Sequence, residues 1–434
     1  MYDAREGFLR FCGIICFIMY NIKQQTLAGL KWLEKYTKTD MVYLAKGGFW
    51  LGIGQVLSTG MAFLLSIAFA NLLPRETYGV YRYILSIASI LTIPTLSGMD
   101  SAVTRAVAQG FEGSLVDALK TKLKWGLFTT LAGVGLGLYY FVSGNNTLAI
   151  GFVTASVFIP LWESFDIYSS FLNGKKFFNK YTQYYGSVQI ISGLCVFASL
   201  LFTKNVLVIL TTYYLVNTAI RIIFFRQIIK TFHPNNNIDP DTISYGKHLS
   251  FIDIIGTILG QLDKVLLFHY LGAAEVALYA IAIAPSENIK GMLKNIHTLA
   301  LPRFASREKD DVKKNIFGKT IKLGLTVFGI TIIYIILAPL FYKIFFPRYL
   351  DAIIYSQVIS VSIVAASVSM FLYTFLESHA QKEALYKFNI YSNIINLFIV
   401  FFMIYFFGLW GAIFSRILVR LFLAGYSIFL VKNN

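Results

Sequence analysis

The chain predicts an all-α polytopic membrane protein of twelve transmembrane helices in two six-helix bundles, and three observations carry that prediction. Of its 434 residues, 56% are hydrophobic and 14% charged, with a mean hydropathy of +0.64, well on the apolar side of a soluble domain. The apolar residues fall into twelve runs, each near the roughly 20 residues that cross a bilayer as a helix. The third observation is an internal repeat. An offset of 198 residues lays Leu73 on Leu271, Tyr81 on Tyr279, Ala102 on Ala300, Arg105 on Arg303, Lys124 on Lys322 and Gly126-Leu127 on Gly324-Leu325, without a gap. Six spans, an even number, separate matching positions. The halves therefore share one orientation, a parallel pseudo-two-fold repeat about an axis along the membrane normal.

Residues 1–41 stand apart. The apolar run Phe8 to Tyr20 is short for a span, and Arg5 and Arg10 with no small-residue cleavage site do not make a signal peptide. An interfacial amphipathic helix is expected, continued by Leu27, Leu30, Trp32 and Leu33 among Lys31, Lys35 and Lys38. Met41 as the true start is the competing expectation. The first bundle covers 42–230, with spans near 44–70, 80–105, 120–142, 147–171, 181–202 and 206–229. A polar stretch at 231–247, with His233, Pro234 and the Asn235 to Asn237 run, reads as a cytoplasmic linker. The second bundle covers 248–434, with spans near 248–270, 276–301, 319–344, 350–376, 386–406 and 410–431. Pro94, Pro160, Pro285 and Pro339 interrupt spans and are expected to kink them.

The turns set the orientation. Those after spans one, three, five, seven and eleven are short and nearly uncharged, such as Ser143 to Asn146 and Leu271 to Glu275. Those between are basic: Lys120, Lys122 and Lys124; Lys175, Lys176 and Lys180; Arg221, Arg226, Lys230 and Lys247; then the stretch from Arg303 to Lys322. An excess of Lys and Arg marks cytoplasmic loops, so both termini are expected there, in a multi-pass protein of the cytoplasmic membrane. These loops account for the net charge of +16, and no basic segment is long or aromatic enough to serve nucleic acid. Cys12, Cys16 and Cys195 are an odd number within apolar runs; they imply neither a disulfide framework nor a metal site, and no cofactor is expected.

Charges inside the spans are the candidates for function. A charge in lipid costs kilocalories unless it meets a partner or water. Asp253, Thr257, Gln261 and Lys264 recur every three or four residues in span seven, as do Glu287, Lys290, Lys294 and His297 in span eight. Each set forms one polar stripe on a helix.

Three stretches of the first half resemble a known family: Lys46-Gly-Gly-Phe-Trp50 with Gly54-Gln55, Asn71-Leu-Leu-Pro-Arg-Glu-Thr-Tyr-Gly-Val-Tyr81, and Ser101-Ala-Val-Thr-Arg105. Leu262-Asp-Lys-Val-Leu266, Leu271-Gly272 and Tyr279-Ala280 echo them in the second half. The chain resembles the Wzx-type polysaccharide flippases of the multidrug/oligosaccharidyl-lipid/polysaccharide exporter (MOP) superfamily. That resemblance implies two bundles in a V around a cationic central cavity. It also implies alternating access that turns an undecaprenyl-pyrophosphate-linked oligosaccharide from the cytoplasmic to the outer leaflet, for O-antigen-like surface glycan. Polysaccharide polymerase and chain-length proteins would be further partners. The first forty residues depart from the family, as does Ala277, which stands where the first half has Gly79. A drug/cation antiporter of the same superfamily and a lipid II flippase are the alternatives; the latter usually has two more spans.

Such a task needs cations for phosphate, which Lys and Arg bind through charge-assisted hydrogen bonds. Lys290, Lys294, Lys264, Arg416, Arg420 and Arg82 are the candidates. Lys290 and Lys294 lie one turn apart in mid-span, with Glu287 three residues before Lys290 as the competing neutraliser. Lys264 either faces the cavity or snorkels to the headgroups; Asp263, its neighbour, does not share its helix face. Arg420 suits the cytoplasmic interface, whereas Arg416 sits deeper and needs a partner. Arg105 and Arg303 serve as topological anchors or capture the headgroup. Asp253, Glu287, Glu163 and Asp166 either carry a coupled proton or ion, as relay acids do, or pair with the cations. Asn389, Asn393, Asn396, Gln183 and Gln189 bind sugar hydroxyls or bond between helices. Every outer loop is short and no nucleotide-binding loop, zinc cluster or triad occurs, so an enzyme is not expected.

Overall fold

A computed structural model describes residues 41–305, 309–379 and 381–433, and among them every regular element is helical. Of the N-terminal extension, 1–41, all but Met41 lies outside the described residues. The first half comprises α1 (Met41–Leu72), α2 (Arg75–Leu91), α3 (Met99–Ala108), α4 (Ser114–Val142), α5 (Asn146–Phe165), α6 (Tyr168–Gly174), α7 (Phe178–Phe202) and α8 (Val206–Phe232). The second comprises α9 (Thr242–Leu271), α10 (Ala273–Ala305), α11 (Lys309–Phe345), α12 (Ala352–Ser378) and α13 (Lys382–Asn433).

Local chemistry sets the boundaries. Asn145 and Asn205 cap α5 and α8 by accepting from the Leu148 and Leu207 amides at 3.0 and 2.9 Å, which satisfies donors that a helix start leaves free. Pro94 lies in a short 3-10 turn, Ile93–Thr95, and the pair α2 and α3 is bent there by 41°. Its ring removes a donor and clashes one turn back. Pro160, Pro285 and Pro339 all sit within unbroken helical runs.

Among the described residues, eight helical stretches are each long and apolar enough to cross a membrane, and the bent pair α2–α3 makes a ninth. The helices α9 and α10 run 30 and 33 residues but carry the charged stripes. The last run, α13, turns back at Gly408, whose φ of 55° suits a residue without a β-carbon. The rings of Tyr391 and Tyr426 lie 5.6 Å apart, although an unbroken helix would separate them by about 50 Å. It is therefore an antiparallel pair of spans, consistent with twelve crossings.

The core shows how the halves meet. At the end carrying the short turns, one apolar cluster runs through both halves, joining Phe69, Leu73 and Tyr81 to Tyr279, Phe346 and Tyr349. At the basic-loop end each half has its own: Met99, Leu115 and Phe171 in the first, Ile316, Leu372 and Phe375 in the second. The halves share one core at the first end and keep separate cores at the other, where the start of α9 is still tied to the first half through Gly98 and Ser250. Lipid tails are as apolar as leucine, so close approach rather than the hydrophobic effect holds such helices together. At Gly79 the backbone of α2 touches the carbonyl of Ala273 at the start of α10, leaving no room for a β-carbon.

Arg75 closes the joined end. It donates to both Asp351 oxygens, at 2.6 and 2.8 Å, and to the Arg348 carbonyl, and its guanidinium lies 4.8 Å from the Tyr349 ring centre. Phe63 packs on Phe341, Phe345 and Phe346 beneath it. The linker is docked on the first half rather than suspended between halves. Asn235 and Asp239 donate backbone N–H groups to Glu112 Oε2 and Ser114 Oγ at 2.9 Å each. Lys175 pairs with the other oxygen of Glu112.

Candidate functional site

A cavity of about 340 Å³ lies between the halves, with α1 and α2 on one side and α9, α10 and α13 on the other. Its polar wall is Ser66, Tyr78, Arg82, Lys264, Glu287, Asn288 and Arg416. Arg416 and Arg420, one helical turn apart, project the same way. Arg416 reaches Asp263 Oδ2 with Nε and Nη2 at 3.0 and 2.5 Å and Glu287 Oε1 with Nη1 at 2.6 Å. The Tyr279 hydroxyl donates to Asp263 Oδ2 at 2.5 Å. Arg420 donates to Glu287 Oε1 at 2.5 Å and to Ser362 Oγ at 2.8 Å. Lys290 stands 3.7 Å from Glu287 Oε2, and Lys264 Nζ donates to Gln261 Oε1 at 2.8 Å.

The charges do not balance. Among the described residues, Arg82, Lys264, Lys290, Arg416 and Arg420 around the cavity meet only Asp263 and Glu287, a formal excess of three positive charges. Arg82 is the least compensated. Its Nε is buried without a hydrogen-bond partner, and it makes no ion pair among the described residues.

A second charged cluster fills the first half. Lys122, fully buried, donates to Asp100 Oδ1 at 2.9 Å. Arg221 binds Asp166 Oδ1 and Asn217 Oδ1 at 2.7 Å each, with its guanidinium 4.9 Å from the Trp162 ring centre. Glu163 is half-buried beside them and makes no ion pair among the described residues.

Several expectations are revised by this placement. Arg420 is buried among α10, α12 and α13 rather than at an interface. Lys264 is buried against the cavity rather than snorkelling. Asp253 is exposed and lines no part of the cavity, so the stripe on α9 reaches it through Lys264, which Gln261 holds by a hydrogen bond. Glu163 and Asp166 belong to the first-half cluster, not to the junction. Arg105 lies 5.2 Å from the Tyr245 ring centre. The side chains of Lys294 and Arg303 lie outside the described residues. Lys122 and Arg221, read from sequence as loop cations, are interior partners of Asp100 and Asp166, because a cation near a span end looks the same in sequence whether it leaves the membrane or turns inward. Sequence gives no sign of Tyr279 and Asp263 as site residues, because nothing local signals a partner 153 residues away.

The family described as "Polysaccharide biosynthesis protein" matches residues 44–307. An uncharacterized membrane protein, MJ1068, of Methanocaldococcus jannaschii is 23% identical over 278 residues, so the chain spans about half of that relative: 56% of this chain and 54% of the other. Among solved structures, a multidrug resistance MATE family transporter of the MOP superfamily in its inward-facing conformation superposes with a TM-score of 0.63. It is 12% identical, over 88% of this chain and 97% of that one. The lipid II flippase MurJ, inward closed, gives 0.56 at 14% identity, over 88% and 87%. At such identities the likeness is one of fold.

Proposed function

Because the chain belongs to the polysaccharide biosynthesis protein family, among the MOP-superfamily transporters, we propose that it flips an undecaprenyl-pyrophosphate-linked oligosaccharide from the cytoplasmic to the outer leaflet of the cytoplasmic membrane. The observation that carries this reading is the excess of positive charge in a cavity between two halves. A buried cation without a partner is costly, and a pyrophosphate entering beside Arg82 and Lys264 supplies the missing anion. The sugars ride in the water-filled space, while the polyprenyl tail stays in lipid. With the basic loops in the cytoplasm, the end with separate cores faces inward and the Arg75 seal faces outward, which is the loading state of an alternating-access cycle. An antiporter for organic cations would bring positive charge into an already positive cavity, which disfavours that alternative.

Coupling, if the cycle uses a proton, falls to Glu163. Of the other acids expected to carry it, Glu287 and Asp166 are held by arginines and Asp253 is exposed. The test of function is export. With protein levels matched, Arg82→Gln should abolish most surface polysaccharide and accumulate the lipid-linked precursor, while Arg82→Lys keeps part of the activity. Full export from Arg82→Gln would refute the phosphate role.

A further inference from the structure

The first half holds a cavity of its own, about 230 Å³, which adjoins the junction cavity across Ser66, Tyr78 and Arg82, side chains that line both. Its chemistry differs from that of its neighbour. No carboxylate lines it among the described residues. Trp162 and Tyr213 stand edge to face there with ring centres 5.4 Å apart. Arg221, the one other cation on its wall, already has Asp166 and the Trp162 ring. Asn217 is used up as well: its amide nitrogen donates to Ser192 Oγ and the Tyr213 carbonyl, and its oxygen accepts from Arg221. Gln189 is different. Its amide makes no hydrogen bond among the described residues, so one acceptor and two donor hydrogens face the space unspent.

An aromatic wall, a free amide and a single uncompensated guanidinium suit a ligand with apolar faces, hydroxyl edges and an anion at one end. A sugar ring bonded to phosphate has that form. Its C–H faces pack on the Trp162 and Tyr213 rings. Its hydroxyls exchange hydrogen bonds with Gln189. Its phosphate reaches Arg82, whose Nε lacks a partner. We propose that this cavity is the sugar subsite: it holds the ring nearest the pyrophosphate, with Arg82 as the post between glycan and phosphate compartments. The proposal rests on the flippase reading above and adds where, and by which side chains, the glycan is recognised.

The test compares two lipids on the full chain in nanodiscs. One probe is undecaprenyl pyrophosphate without sugar; the other is the glycosylated lipid extracted from the source cells. Gln189→Leu and Trp162→Leu should each weaken the glycosylated lipid about tenfold, the loss expected for one good polar or ring contact, and leave the sugar-free lipid unchanged. Unchanged binding of the sugar-free lipid also shows that the variants fold. Gln189→Asn, which keeps the amide, should recover part of the loss, and Arg82→Gln should weaken both lipids. Equal affinity of the unmodified protein for both lipids, or equal losses on both in the Gln189 and Trp162 variants, overturns the subsite and leaves the flippase standing. Failure of the unmodified protein to bind either lipid removes the flippase reading, and the subsite with it.

Discussion

Removing Arg75 should open the joined end of the molecule, and the structure sets the size of the effect. Its ion pair with Asp351 is partly exposed, with side-chain accessibilities of 37% and 46%, so solvent screening holds it to roughly 0.2–1 kcal/mol. The contact with the Tyr349 ring adds about 0.5–1 kcal/mol, and the bond to the Arg348 carbonyl is similarly wet. Together they favour the closed end by about 1–2 kcal/mol, a population ratio of roughly 5 to 30. The readout is a cysteine at Ser66, on the cavity wall, in a chain whose native cysteines have been replaced. A membrane-impermeant thiol reagent applied outside intact cells should label it about 5 to 30 times faster after Arg75→Ala, in proportion to that ratio. Asp351→Ala should give a smaller increase, because Arg75 keeps Tyr349 and the Arg348 carbonyl. In the double variant the Asp351 change should add nothing further, since both act on one contact. Unchanged labelling in Arg75→Ala, or a larger increase in Asp351→Ala than in Arg75→Ala, would show that the Phe63 cluster seals this end by itself.

Three further outcomes are expected. Gly79→Ala places a methyl against the Ala273 carbonyl, and overpacking of about 1–3 kcal/mol should speed the same outside labelling while lowering thermal stability. For Lys122→Met, thermal unfolding in detergent should show a loss toward the low end of the roughly 3–5 kcal/mol seen when one buried partner is removed, since Asp100 is partly open to solvent; adding Asp100→Leu should restore part of it. Burial pushes the Glu112 carboxyl up, but the Lys175 ammonium and the Asn235 N–H outweigh it and hold the group below the usual 4.5. A depressed acid stabilises while ionised. Linker docking should therefore be complete above about pH 4.5, weaken as pH falls through the depressed value, and be weak throughout in Glu112→Gln, as proteolysis between Lys230 and Lys247 would report.

How much of this was legible beforehand depended on whether the signal was local. Apolar runs and turn chemistry act over twenty residues, so the span layout, the basic loops and even the hairpin at Gly408 can be read along the chain. The pairing of Arg416 and Arg420 on one face follows from helical spacing, and so does the ion pair of Glu287 with Lys290. What escaped is tertiary. Asp263 shows no partner along the chain, since its neighbour Lys264 lies off its helix face, and its partner Arg416 comes from the last span. Lys122 and Arg221 were absorbed into a loop pattern that counts charge without asking which way a side chain turns. Trp162 and Tyr213 carry no sequence signal of their own, since a ring facing lipid and a ring facing a cavity have the same spacing.

The docking of α9 bears on how the halves can move at all. At its start this helix is tied to the first half: the Gly98 amide donates to Ser250 Oγ at 3.0 Å, and Gly246 packs on Met99. Farther along, Asp263 is tied to the second half through Arg416. About 20 Å of helix separates the two anchors. The chain connection between the halves is therefore a helix clamped at both ends rather than a slack loop, and cutting the 231–247 stretch would leave them still coupled. Rocking must twist the intervening turns. Those turns hold Gly256 and Gly260, where a β-carbon would meet open space, so the torsion falls on the part of α9 that has the least packing to lose.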